Sequence, residues 1–309
     1  MLRAVRDAFV GVGDLTERQG ATLVVSSGVL FSLTAIALAA VQNASDFQFL
    51  AYRGGSTTLA MVILILLRRK GRPVDFSGVT RTVWLAGLVL GSTSMLYILA
   101  LSRTTAATTL FLLAASPVFA ALIGWLWLRE AVSRPTAVAT GVTALGVIVT
   151  VSAGVQVGAW SGLLFAAMLP VTIGLFSVLM RSASGVDPVV PTLIAGGSLG
   201  LVSSVVALTQ GSLVISLHDA TMACISGGLA LGFGLPLFNL GHRSVAAAKV
   251  PLLLMTEVVL APLWVWIWPG EAPTTATLIG GAIILGSVAW LLLRTQDVPE
   301  SVLTPAPGS

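Results

Sequence analysis

Apolar runs of about twenty residues follow one another along almost the whole chain, and they limit its fold more than any other feature. A bilayer core is crossed by roughly 20 apolar residues in a helix. Runs of that kind cover residues 21–42, 47–67, 82–101, 104–128, 135–153, 160–180, 189–209, 220–240, 245–268 and 276–293. The sequence therefore predicts an all-α polytopic membrane protein with ten transmembrane helices.

The composition agrees with lipid as the main solvent of the chain. Only 9% of its 309 residues are charged, whereas soluble proteins carry about 25%. The single Cys224 excludes a disulfide within the chain, and with only His218 and His242 beside it we expect no metal site and no cofactor. The first run is longer than the roughly 7–15 apolar residues of a signal-peptide core, so we interpret it as the first span.

The distribution of Lys and Arg predicts the orientation, because cytoplasmic loops are enriched in both. With the N-terminus in the cytoplasm, 13 of the 16 Lys and Arg residues lie on that side, Arg103 lies outside, and Arg53 and Lys249 lie within spans. The protein is thus predicted to lie in the cytoplasmic membrane with both termini in the cytoplasm. Residues 1–20 form one terminal segment, and residues 294–309 form a polar, Pro-rich tail that we expect to be disordered.

The chain repeats itself after about 140 residues. A Trp-x-Trp-x-x-Glu pattern at 125–130 recurs 141 positions later at 266–271, and a Gly-Gly-Ser sequence ending at Ser56 recurs 142 positions later at Ser198. Two units follow from this spacing, and each of them contains five of the ten spans.

The two units, residues 21–153 and 158–293, are predicted to be inverted relative to each other. Five spans is an odd number, so the second unit begins on the opposite side of the membrane. The loop charges agree, since Arg129 and Arg134 beside the first Trp motif have no cationic counterpart beside the second. Inverted repeats are a recurring design of secondary transporters, with the solute site at the midplane between the halves.

The residues of both units resemble a known family. In the first unit the pattern consists of Tyr97-x-x-Ala100, Pro117, Trp125, Glu130 and a following Gly-spaced helix. The second unit has "TEVVLAPLWVWIWPGE" and a pair of glycines, Gly281 and Gly286. Over roughly 20–293 the chain resembles EamA-type transporters of the drug/metabolite transporter superfamily. The resemblance implies ten helices around a central cavity and export of a small metabolite by alternating access.

Three ionisable residues inside spans are the first candidates for a site: Arg53, Lys249 and Glu257. Such a residue costs about 2.5–3.5 kcal/mol on insertion scales and indicates function by default. Their counterparts in the other repeat are all uncharged: Ala195, Thr108 and Ser116. If all three charges face one cavity, their sum of +1 favours a carboxylate-bearing or amino-acid-like solute. The alternative is a structural ion pair between Glu257 and one of the cations.

Glu257 is also a candidate for proton coupling. Burial disfavours an ionised carboxyl, so Glu257 could bind a proton in one state of a transporter and release it in another. Further candidates could provide a stacking wall or hydrogen bonds, although these residue types also pack helices: Tyr97, Phe111, Trp264, Asn239, Ser94 and Gln48.

An intramembrane enzyme and a channel are the alternatives to a transporter. The sequence contains no His-x-x-x-Glu cluster, no pair of Asp residues within the spans and no phosphate-binding loop, so we predict that the protein is not an enzyme. Expected partners are the solute and the lipid bilayer, with protons and a second copy of the chain left open. Because the cations lie at the ends of the spans, no nucleic acid is expected.

Overall fold

Ten helices account for the fold in the computed structural model, which describes residues 16–68, 79–128, 134–155, 160–183, 186–187, 189–242, 245, 250–268, 270 and 272–295. The uninterrupted ones are α1 (Glu17–Ala39), α2 (Asp46–Arg68), α3 (Arg81–Leu101), α5 (Arg134–Val155), α6 (Trp160–Ser182), α7 (Val189–Thr209), α9 (Val250–Ile267) and α10 (Thr275–Thr295). Helix α4 consists of Ala106–Leu113 and Ser116–Leu128. Helix α8 consists of Leu217–Cys224, the π-helical Ile225–Leu231 and Gly232–His242. The described residues contain no strand, so the all-helical prediction is confirmed.

Most of these helices suit a membrane in length and composition. Seven of them, α1 to α4 and α6 to α8, are long and apolar enough to cross a bilayer. Among the described residues, the apolar parts of α5, α9 and α10 are shorter: Ala137–Thr150, Leu253–Ile267 and Thr275–Leu291. The structure thus has the ten predicted helices, of which seven meet the full length of a span.

Helix α1 begins at Glu17, a few residues before the predicted start at residue 21. Thr16 forms a capping box: its hydroxyl accepts from the Gln19 backbone N–H at 3.3 Å, and the Gln19 side chain accepts from the Thr16 N–H at 3.0 Å. This pairing satisfies two backbone donors at the helix start. Residues 1–15 and 296–309, including nearly all of the predicted tail, lie outside the described residues.

Helix α4 is interrupted at residues 114–115, within the predicted span 104–128. Pro117 has no N–H, so the carbonyl of Leu113 cannot receive the usual helical hydrogen bond. The hydroxyl of Ser116 donates to that carbonyl instead. By contrast, Pro170 and Pro236 lie within continuous helical segments, so of these three prolines only Pro117 breaks its helix.

Glycines bring α2 and α7 into direct contact at the centre of the bundle. A Cβ atom on Gly54 would collide with the backbone of Gly200, and one on Gly196 would lie 2.8 Å from the Thr58 hydroxyl and 3.1 Å from its backbone nitrogen. Both helices therefore need small residues at this crossing, as is common where membrane helices pack closely.

The remaining helices pack around this crossing in two groups. Helix α1 packs on α8 and α9, and α8 also contacts α2. In the same way, α6 packs on α3 and α4, and α3 also contacts α7. Helix α5 packs on α10, where the Thr143 hydroxyl donates to Ser287 at 3.2 Å.

Polar contacts fasten the loops at both ends of the bundle. At the end predicted to face outward, the buried carboxylate of Asp219 accepts from the backbone N–H groups of Gln42, Asn43 and Ala44 at 2.9, 3.1 and 3.0 Å. At the other end, Arg68 of α2 pairs with an Asp187 oxygen at 2.9 Å. The loops are therefore held by specific bonds between the two repeats.

The glycine crossing predicts a sharp difference between two neighbouring substitutions. Gly54→Ala should destabilise the fold by about 1–3 kcal/mol, because the new methyl group meets the backbone of α7. Gly55→Ala should be neutral or stabilising by about 0.5–1 kcal/mol, because nothing lies within 4 Å of a Cβ there. Thermal unfolding of the purified variants in one detergent measures both effects, and equal stability of the two variants would contradict the packing.

Candidate functional site

A cavity of about 190 Å³ lies between helices of both repeats. Its polar lining consists of Arg53, Glu257, Tyr97, Ser94, Thr34, Thr57, Thr93 and Thr192. Its apolar lining includes Phe31, Leu90, Leu113, Leu169, Ile173, Leu199, Leu231 and Leu235. A mostly apolar lining with a few polar groups is typical of small-molecule sites.

Arg53 of α2 lies at the centre of the polar wall and is only 2% exposed. Its Nε donates to the Ser94 hydroxyl of α3 at 3.2 Å, and its Nη1 donates to the Thr34 hydroxyl of α1 at 3.4 Å. Nη1 also donates to the carbonyl of Ser226 in α8 at 3.1 Å and to the hydroxyl of that residue. Four helices thus meet at one guanidinium group, as a buried charge requires.

Glu257 of α9 lies in the same cavity without forming an ion pair with Arg53. The Tyr97 hydroxyl of α3 donates to Glu257 Oε1 at 3.4 Å. Among the described residues no Arg53–Glu257 contact falls within the 4.0 Å of an ion pair. The structural ion-pair alternative therefore does not hold for these two residues. Lys249, the third predicted charge, lies outside the described residues.

The two repeats supply equivalent positions to the cavity but with different polarity. In α2 and α7, at the 142-residue spacing, Arg53 corresponds to Ala195 and Thr57 to Leu199, and all four residues line the cavity. In α3 and α8, at the 141-residue spacing, Ser94 corresponds to Leu235, and both line it as well. At these three pairs of positions the polar member comes from the first repeat and the apolar member from the second.

The structure brings together four of the nine predicted site residues: Arg53, Ser94, Tyr97 and Glu257. These side chains come from three helices, α2, α3 and α9, and meet at the cavity.

Four other predicted residues lie elsewhere, which corrects their assignment. Phe111 is buried in the helix core against Gly281. The Trp264 Nε1 donates to the Ser32 hydroxyl at 3.0 Å, and Gln48 donates to the Ser212 carbonyl at 2.8 Å.

The fourth, Asn239, lies in the last part of α8 and is not among the cavity residues. Phe111, Trp264 and Gln48 thus contact other parts of the fold, and none of the four residues lines the cavity.

The threonines of the cavity were not predicted, although helical spacing contains a signal for them. Thr57 follows Arg53 by four positions and therefore lies on the same face of α2. Thr93 precedes Tyr97 by four positions on α3 in the same way. A search one helical turn away from each predicted residue would have identified both threonines.

The comparison with protein families concerns the first repeat. Residues 18–152 match the EamA-like transporter family. The resemblance predicted from the repeat residues is therefore confirmed over this part of the chain. Together with the apolar helices described above, this similarity indicates a multi-pass membrane protein.

One relative and one solved structure extend the comparison. The uncharacterized transporter YdfC of Bacillus subtilis (strain 168) is 25% identical over 199 residues, which are 62% of this chain and 64% of YdfC. A crystal structure with 20% sequence identity covers 90% of this chain and 99% of its own, with a TM-score of 0.64. The latter likeness shows the fold alone.

The cavity predicts that cysteines introduced at two alanine positions of α7 differ in their accessibility to a thiol reagent. In a Cys224→Ser background, Ala195→Cys should react with a small water-soluble thiol reagent, because position 195 lines the cavity. Ala207→Cys should stay unmodified, because position 207 is 1% exposed and lies away from the cavity. Mass spectrometry of the labelled protein measures both, and equal labelling would contradict a water-accessible cavity at position 195.

Proposed function

We propose that the protein is a secondary transporter that exports a small, carboxylate-bearing metabolite with an apolar part. The observation that carries the proposal is the cavity, where Arg53 and Glu257 face one space without pairing and leucines of both repeats supply an apolar lining. The match of residues 18–152 to EamA-like transporters and the relative YdfC support a role in transport. Transport would proceed by alternating access between two inverted repeats.

The helix packing supports the inverted arrangement. At the 142-residue spacing, Gly54 corresponds to Gly196, and Thr58 corresponds to Gly200. When each residue is replaced by its equivalent in the other helix, the contact between Gly54 and Gly200 becomes the contact between Gly196 and Thr58. An exchange of this kind is what a two-fold axis between two equivalent helices produces. The matching pairs α1·α8 with α6·α3 and α1·α9 with α6·α4 follow the same rule.

The polar and apolar residues that line the cavity support the proposed class of solute. A carboxylate is attracted to a guanidinium that has no acidic partner within ion-pair distance, and an amine or a proton to the carboxyl of Glu257. The leucines that line the cavity favour apolar groups, at about 0.8 kcal/mol for each buried CH₂. An amino-acid-like solute with an apolar side chain meets all three requirements.

Proton coupling through Glu257 is part of this proposal. The ionisable groups that share the cavity with its carboxyl are the Tyr97 hydroxyl, which donates to it, and the Arg53 guanidinium. A proton on Glu257 would remove the attraction for a solute amine, so binding of solute and proton would compete. The competition would couple export of the solute to entry of a proton.

Export across the cytoplasmic membrane, with both termini inside, completes the proposal. The orientation rests on the cytoplasmic excess of Lys and Arg, and the direction rests on the family resemblance. A homodimer is compatible with this function but is not needed for it, because the cavity is built within one chain.

The proposal predicts that Glu257→Gln abolishes pH-dependent export. Cells that express the wild type should release at least one carboxylate-bearing metabolite, and the release should change between two external pH values. Glu257→Gln should lose this release, because it cannot ionise, whereas Glu17→Gln at the start of α1 should retain it. Mass spectrometry of the medium provides the measurement.

Other outcomes of this experiment separate the alternatives. Equal release with the same pH dependence from wild type and Glu257→Gln would reject proton coupling. Conversion of a solute without its movement across the membrane would favour an enzyme. Release that follows only the concentration gradient and ignores pH would favour a channel.

The apolar wall predicts a change of specificity in one variant of the second repeat. Leu199→Thr places on α7 the residue that α2 has at the equivalent position, Thr57. Export of a solute with an aliphatic side chain should fall about tenfold relative to a more polar analogue, since one or two methylene groups are worth about 1–3 kcal/mol. Val202→Thr on the exposed face of α7 is the control, and an equal effect of both variants would contradict the assignment.

A further inference from the structure

The hydrogen bonds of Arg53 use two of its three guanidinium nitrogens. Nε donates to Ser94, and Nη1 donates to Thr34 and to both oxygens of Ser226. Nη2 has no hydrogen-bond partner among the described residues, and Arg53 lines the cavity. The two N–H groups of Nη2 are therefore the donors that remain for a ligand.

Ser226 reaches Arg53 because of the π-helical turn Ile225–Leu231. A Cβ on the next residue, Gly227, would collide with the carbonyl of Arg53, so the backbones of α8 and α2 touch at this level. The turn presents the hydroxyl and the carbonyl of Ser226 to the same nitrogen of Arg53. Single π turns inside α-helices often occur at functional sites.

We propose that Ser226 is the positioning residue for solute recognition: it holds Nη1 of Arg53 so that Nη2 alone meets the anionic group of the solute. The proposal rests on the proposed function of the cavity as a solute site. Ser226 does not line the cavity itself and acts through Arg53.

This arrangement has a consequence for recognition. A free guanidinium binds a carboxylate with two parallel hydrogen bonds from two nitrogens. With Nε and Nη1 occupied by the protein, an anion is bound end-on by Nη2 only. A contact through one nitrogen is weaker than a bidentate contact. A weaker contact suits a transporter, because a transporter must release its solute in every cycle.

The orientation of Arg53 can be tested with phenylglyoxal, a neutral dicarbonyl reagent that closes a ring across two guanidinium nitrogens. In the wild type, full-length and in lipid vesicles, Arg53 should react slowly because Nη1 is held. Ser226→Ala removes one acceptor from Nη1 and should accelerate modification of Arg53 about fivefold, as expected for one lost hydrogen bond. The modified peptide is quantified by mass spectrometry.

Three variants separate positioning from general packing. Ser203→Ala removes another fully buried serine hydroxyl, which has no hydrogen-bond partner among the described residues, and should leave the rate unchanged. Ser226→Thr restores a hydroxyl and should return the rate towards that of the wild type. Ser226→Cys keeps the volume with a poor acceptor and should react like Ser226→Ala, which also serves if the alanine variant does not fold.

An unchanged rate in Ser226→Ala and Ser226→Cys would overturn the inference, and so would equal acceleration in Ser203→Ala. The rates do not depend on solute flux. If the modification rates change in the Ser226 variants as expected while the wild type exports no solute, the positioning of Arg53 stands and the proposed transport function fails. If export occurs while the modification rates are unchanged in the Ser226 variants, the transport function stands and the positioning of Arg53 by Ser226 fails.

Discussion

The buried guanidinium of Arg53 is the interaction on which the rest of the cavity depends. A positive charge inside a membrane-spanning bundle costs several kcal/mol unless polar groups surround it. Here α2 carries the charge, and α1, α3 and α8 bring the hydroxyl and carbonyl groups that accept its hydrogen bonds. These helices come from both repeats, so the position of one side chain links the two halves of the protein. The glycine contacts of α8 with α2 make this approach possible.

Equivalent positions of the two sequence repeats line the cavity but differ in chemistry. Arg53 and Ala195 are at equivalent positions, as are Thr57 and Leu199, and all four line one cavity. A solute in that space would meet both polar groups and hydrocarbon.

The sequence predicted the number of helices, since hydropathy is read directly along the chain. It could not predict the partners of each charge, because these depend on packing between distant helices. Glu257 and Tyr97 are 160 positions apart and meet only when α9 and α3 converge. Trp264 and Phe111 were expected in the site on residue type alone, and the fold uses them for contacts between helices. The π turn of α8 has no recognisable pattern in the sequence.

Release of metabolites from vesicles tests the central claim most directly, namely that Arg53 binds the carboxylate of a transported solute. Vesicles with equal amounts of folded wild type or Arg53→Lys would be loaded with a cell extract, and the released compounds identified by mass spectrometry. The proposed function predicts at least one carboxylate-bearing compound that leaves through the wild type and is retained by the variant, because lysine lacks the nitrogen that remains free for the solute. Release of the same carboxylates at the same rates from both would contradict it.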